Sequence, residues 1–181
     1  DGTECAVLEM GARGIGHIAD LCAIGRPTIG VVTLVAGVHL EAFGSLEDVA
    51  TGKGELVAAL PASGTAVLNA DDERVAAMAS RTQASVLTFG QERGEVQAAH
   101  VSLDEHLHPT FELRSPWGVV DVRLSIAGRH QVTNALGAAA AGLAMGIPLA
   151  AVAEGLGGAR LSALRMDLTT AEGGYRVLND S

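Results

Sequence analysis

Hydrophobic positions along this chain follow two rhythms. Short, largely apolar runs at Cys5-Ala6-Val7-Leu8, Ile29-Gly30-Val31-Val32-Thr33-Leu34-Val35, Thr65-Ala66-Val67-Leu68 and Ser85-Val86-Leu87-Thr88-Phe89 predict buried β-strands. The second of these is rich in β-branched residues and shows no alternation, which predicts a central strand covered on both faces of a parallel sheet. Between the runs, apolar residues recur at helical spacing. Ile15, Ile18, Ala19, Cys22 and Ala23 predict a helix that closes at Gly25-Arg26-Pro27. Ser45 then caps a helix with an apolar face of Leu46, Val49, Leu56, Val57 and Leu60, and Asp71 or Asp72 caps one containing Val75, Ala76, Met78 and Ala79. From Val96 to Ile126 the rhythm becomes alternation, broken by the turn Ser115-Pro116-Trp117-Gly118, and predicts an antiparallel meander. A helix rich in small residues is expected from Ala135 to Met145, another ending at Gly155-Leu156-Gly157-Gly158, and a hairpin over 167–179 turning at Gly173-Gly174. The fold class is therefore α/β: a mostly parallel sheet flanked by helices, with a small antiparallel meander.

Composition narrows the function. At 181 residues and 48% hydrophobic, the chain buries a core of ordinary domain size. A formal net charge of -9 argues against nonspecific nucleic-acid binding and against an anionic membrane surface. Cys5 and Cys22 have neither metal-ligand spacing nor a disulfide framework, so a reducing cytoplasm is expected. No apolar run spans a bilayer. The abrupt ends at Asp1 and Ser181 suggest a piece of a longer protein.

Candidate chemistry lies where predicted strands end, the ligand-binding edge of open α/β sheets. Glu9 follows the first apolar run, where a carboxylate can hold magnesium against phosphates, although many strands end in one. Gly11, Gly14 and Gly16 fit neither standard glycine-rich fingerprint and predict a strand-to-helix turn. His39 lies just past the Ile29–Val35 run. Lys53 is the only lysine of the chain; every other basic side chain that is not histidine is arginine. A lysine can lose its proton and add carbon dioxide, becoming an anionic oxygen ligand for a hard metal, which arginine cannot do. The same lysine also suits a solvated helix surface. His100, His106 and His108 lack partner cysteines in a polar segment, so no metal site is expected there, and Trp117 suits a packing cover at its turn. Asn134, at the head of the small-residue helix, suits a capping or surface amide.

Taken together, His39-Leu40-Glu41-Ala42-Phe43-Gly44-Ser45, Lys53-Gly54-Glu55-Leu56, Leu8-Glu9-Met10-Gly11-Ala12-Arg13 and Asn69-Ala70-Asp71-Asp72 resemble the central ATP-binding domain of the Mur ligases. The likeness covers nearly the whole chain and is greatest to the members that add D-alanyl-D-alanine in peptidoglycan synthesis. The resemblance implies an ATP-dependent amide-bond ligase working through an acyl phosphate, with ATP and two magnesium ions. Glu9 would bind one ion, and His39 with carbamylated Lys53 the other. Asn134 matches the last asparagine of the adenine-contacting G-x-H-N-x-x-N signature, and Gln131 replaces the first with a longer amide. Arg165 matches an arginine that reaches the nucleotide, and Asp180 the linker aspartate near the ribose. Residues 1–163 would form the central domain and 164–181 the start of the C-terminal domain. The expected partners are a nucleotide-sugar peptide and D-alanyl-D-alanine, and the expected state is a cytoplasmic monomer.

The chain also departs from the pattern. With Lys53 its only lysine it contains no G-x-x-G-K-[ST] phosphate loop, so the fragment is expected to begin downstream of that strand and to be inactive alone. Leu34 stands where the family usually has asparagine, Ala36-Gly37-Val38 replaces Gly-Thr-Ala, and Gly14 replaces a histidine. Two alternatives stay open: a relative such as a folylpolyglutamate synthetase, and a noncatalytic nucleotide-binding relative.

Overall fold

The computed structural model describes residues 2–37 and 43–160, and the backbone of the strands at 167–170 and 176–179. Six strands form one sheet in the order β1-β2-β3-β4-β5-β6, with a separate two-stranded sheet, β7-β8. The chain divides into two compact units, Asp1–Val86 and Leu87–Ser181.

In the first unit, helix α1 (His17–Gly25) precedes β1 (Ile29–Val32), and helix α2 (Leu46–Ala58) leads to β2 (Thr65–Asn69), which pairs parallel with β1. Helix α3 (Glu73–Ala77) and a 3-10 turn (Met78–Arg81) follow. The expected Ser45 cap is present: Asp48 N donates to Ser45 Oγ at 3.1 Å. Val49 and Val57 of α2 are buried with Val32, Leu68, Val75 and Met78, while Leu46 and Leu56 pack at the margin. Each such aliphatic side chain stabilises the unit by about 1.5–3 kcal/mol. Two glycines on α2 permit close approach on either side of Lys53. A Cβ on Gly52 would meet Phe43 at 2.9 Å, and one on Gly54 would collide with Arg81, which lies across the helix.

Three expectations are corrected here. Cys5–Leu8 forms no strand, and Val7 is 94% exposed; an apolar run becomes a strand only where a neighbour completes its ladder, and no described strand pairs with it. Among the described residues the Ile29–Val35 strand stops at Val32, stands at one edge of the sheet rather than its centre, and alternates in burial. Helix α1 begins at His17, so Ile15 is exposed instead of on its apolar face, because Gly16 turns the chain with φ 95°.

Strand β3 (Ser85–Gly90) straddles the boundary of the two units. In the second unit β3 pairs parallel with β4 (Val96–Leu103), and β5 (Pro109–Ser115) and β6 (Gly118–Arg123) extend the sheet antiparallel, as the alternation predicted. Trp117, at the β5–β6 turn, is 52% exposed and so covers little of the core. The histidine segment is organised by Asp104, whose carboxylate accepts from the backbone of His106 and His108 and from Arg123. Helix α4 (Gln131–Ala144) starts four residues earlier than expected and packs on β4 and β5, and α5 (Leu149–Gly157) packs on β6 and α4. The absence of a side chain at Gly137 lets α4 press on the Phe89 ring, where a Cβ would stand 3.1 Å away. Strands β7 (Asp167–Thr170) and β8 (Arg176–Asn179) form the expected antiparallel hairpin, with its Gly173-Gly174 turn outside the described residues. Among the described residues no helix is long and apolar enough to cross a membrane.

Candidate functional site

The first unit gathers polar groups at the carboxyl end of β1. Beyond Val32 the backbone leaves the β1–β2 ladder, and side chains take over its hydrogen bonds. Asn69 Nδ2 donates to Thr33 O at 2.8 Å, Lys53 Nζ donates to Leu34 O at 2.6 Å, and Val35 N donates to Asp72 Oδ2 at 2.7 Å. Asn69 is nearly fully buried at the end of β2, and its Oδ1 accepts from Asp71 N. Asp72 has a second task as the cap of α3, its Oδ1 accepting from Arg74 N and Val75 N. Of the two aspartates named as candidate caps, it is Asp72 that caps.

Lys53 is half-buried on α2. Burial pushes its ammonium below the ordinary lysine value, and the charge of Asp72 works in the opposite direction. The neutral amine is therefore present at lower pH than for a free lysine. A neutral amine is the form that attacks carbon dioxide, so a fold that favours it favours carbamylation. The amine of this side chain is tied to backbone, at Leu34 O.

Two residues along, Glu55 reaches α1. Its carboxylate accepts from Gly16 N at 2.5 Å and Ala19 N at 3.0 Å, meeting amides that the first turn of a helix leaves without partners. Glu55→Ala is expected to lower stability by about 1–2 kcal/mol, the range of lost helix caps. Hydrogen exchange should show the change concentrated in the amides of α1; unchanged protection there would assign Glu55 no capping role.

Glu9 is exposed and follows no strand, so the strand-end geometry that recommended it is not what places it. Its neighbours do make contact with α1: Met10 Sδ lies 3.9 Å from Cys22 Sγ. Burial, then the charge of Glu55, push the Cys22 thiol up, which disfavours its thiolate.

In the second unit the amides expected to meet adenine are joined to each other. Asn134 Nδ2 donates to Gln131 Oε1 at 2.9 Å, and Gln131 Nε2 lies 3.0 Å from His130 Nε2. Gln131 is buried in the first turn of α4, and Asn134 sits one turn on, inside the helix rather than at its cap. One turn separates i from i+3, which puts both amides on the same face. Next to them, Gln91 Nε2 donates to Thr133 Oγ1 at 2.8 Å.

His39, Arg165 and Asp180 lie outside the described residues. The participation of Asn69 and Glu55, and the bond from Val35 N to Asp72, were missed from the sequence. Asn69 did carry a signal, a polar residue closing a fully buried apolar run; Glu55 and Asp72 act on partners more than thirty residues away, which no local pattern reveals.

A family model described as "Mur ligase middle domain" matches residues 1–142. The chain is 46% identical over 181 residues to the UDP-N-acetylmuramoyl-tripeptide--D-alanyl-D-alanine ligase of Mycobacterium tuberculosis, covering 99% of this chain and 36% of that protein. It is 37% identical over 158 residues to the Escherichia coli ligase of the same name, covering 84% and 34%. Among solved structures, MurF from Acinetobacter baumannii matches with a TM-score of 0.88 at 27% identity, over 94% of this chain and 37% of that one. MurF ligase from Thermotoga maritima in complex with ADP matches with a TM-score of 0.81 at 26% identity, over 92% and 38%. The chain thus spans little more than a third of the length of these relatives.

Proposed function

Since the chain belongs to the Mur ligase family, matching its middle domain, we propose that it is the ATP-binding centre of a longer ligase that adds D-alanyl-D-alanine to a UDP-N-acetylmuramoyl-tripeptide. The observation that carries this reading is Lys53. The one lysine of the chain is half-buried on α2, with its amine on Leu34 O at the mouth of β1. Identity to the D-alanyl-D-alanine ligases supports the choice of acceptor.

The reaction is amide-bond formation. The tripeptide carboxylate takes a phosphoryl group from ATP, and the dipeptide amine then attacks the acyl phosphate, releasing phosphate. Magnesium, when bound, offsets the charge gathered on the phosphates. The donors suit that hard cation: Glu9 offers a carboxylate, and Lys53 an oxygen ligand once it is a carbamate, whereas an ammonium would repel the metal. Among the described residues no group of three or more His, Cys, Asp or Glu forms a metal cluster, so the carbamate is what this reading adds. His39 joins Lys53 as ligand by its place in the motif. Asn134, held by Gln131, contacts the base, and Arg165 and Asp180 serve the nucleotide by the same positional argument. Residues 1–163 would belong to the central domain and 164–181 would open the next. A monomer in the cytoplasm, with no nucleic-acid or membrane partner, completes the reading.

Mass spectrometry of the full-length ligase's products tests it. ATP-dependent formation of the tripeptide–D-alanyl-D-alanine adduct is expected. Glutamate addition to a folate would favour the synthetase alternative, and nucleotide binding without product the noncatalytic one. The 181-residue chain alone is expected to hydrolyse no ATP, because its sequence holds no phosphate-loop lysine.

A further inference from the structure

Three successive residues after β1 each have a backbone group bound by a distant side chain. Asn69 holds Thr33 O, Lys53 holds Leu34 O, and Asp72 holds Val35 N. The bonds to Asn69 and Asp72 flank the bond to Lys53 on either side. The Leu34 side chain is 51% exposed and anchors nothing itself. What aims its carbonyl is the pair of bonds on its neighbours, together with the burial of Val35.

We propose that Asn69 and Asp72 are positioning residues for Lys53: they clamp the strand-exit backbone so that Leu34 O orients the lysine nitrogen both before and after it is carbamylated. The inference rests on the carbamate reading given above. In that step the lone pair of the neutral amine attacks the carbon of carbon dioxide. An N–C bond forms, one C=O pair moves onto oxygen, and a proton leaves to solvent, giving R–NH–COO⁻. The product keeps one N–H. Because the carbamate is planar, a single N–H···O=C bond from that nitrogen to Leu34 O sets the direction in which both carbamate oxygens point. A hydrogen bond to a fixed carbonyl therefore does for the modified lysine what a second partner does for other metal ligands, holding the ligand in register.

The clamp predicts which changes matter. Asp72→Ser keeps a good helix cap for α3 but is too short to reach Val35 N as well. Asn69→Leu keeps the bulk at the end of β2 and removes the bond to Thr33 O. Both are made in the full-length ligase, equilibrated with 13C-labelled bicarbonate. The carbamate carbon is followed by NMR, and activity is titrated against bicarbonate. In Asn69→Leu, which leaves the charge of Asp72 in place, the carbamate fraction at fixed bicarbonate should fall and the bicarbonate needed for half-maximal activity should rise about tenfold, the effect of one lost hydrogen bond. In Asp72→Ser the fall should be smaller, because losing that carboxylate also favours the neutral amine. The KM for ATP should not move. Unchanged carbamate fraction and bicarbonate dependence in both variants, with only the melting temperature lowered, would leave the pair a merely structural role and overturn the proposal. A parent enzyme showing no carbamate resonance would instead overturn the reading of Lys53 itself, and the clamp with it.

Discussion

Lys53→Arg is expected to lose about a hundredfold or more of the full-length ligase's activity, the scale of removing a group that stabilises transition-state charge or holds a metal. The substitution keeps the positive charge and most of the length of the side chain. It removes the one reaction that only lysine has, addition to carbon dioxide. Lys53→Ala should be as damaged at first, but it leaves empty the space that the lysine side chain filled beside Leu34 O. Acetate or formate should enter that space, supply the missing oxygens and restore part of the alanine variant's activity. The arginine variant should recover little, since its cation still fills the site. Acid should weaken the parent enzyme at limiting bicarbonate. The folded-state value of Lys53 lies below that of free lysine, so the reactive amine persists to lower pH than it would in an unfolded chain and is lost as pH falls through that lowered value. Full activity of Lys53→Arg would end the carbamate reading.

Asn134→Ala should raise the KM for ATP by about tenfold or more while changing kcat little, as expected when binding is lost equally from ground and transition states. The hydrogen bond from Asn134 to Gln131 gives a second comparison. Gln131→Asn restores the residue type that the family signature has, but shortens the amide that orients Asn134. It should raise the KM less than Asn134→Ala does. Steady-state kinetics over a range of ATP concentrations separates the cases, and a collapsed kcat with an unmoved KM would place Asn134 away from the nucleotide.

Much of this arrangement could be read before any coordinates. Ser45 and the helix behind it, the strand Thr65–Asn69, the meander and the terminal hairpin follow from rhythm and capping alone. The two strand errors share one cause. Cys5–Leu8 and Thr33–Val35 have strand-like composition, yet strand formation is decided by what is available to pair. In the first case no described strand comes alongside. In the second, Asn69, Lys53 and Asp72 capture backbone groups that a longer ladder would have used. Those partners are nineteen to thirty-seven residues away, beyond any window that a periodicity argument can use.

Glu55 bears on a different matter, where a nucleotide's phosphates can settle. A helix that begins after a glycine-rich turn is an attractive seat for an anion, and α1 follows such a turn at Gly11, Gly14 and Gly16. That seat is taken from within. Any phosphate approaching Gly16 N and Ala19 N would have to displace an internal carboxylate and then face its charge, so the glycines there shape a bend and leave those two amides no vacancy for an anion. The converse follows for a protein stripped of that side chain. Deleting Glu55 would unmask the amides and turn an inert corner into an adventitious oxyanion trap, so that sulfate or inorganic phosphate would stabilise the variant more than it stabilises the parent.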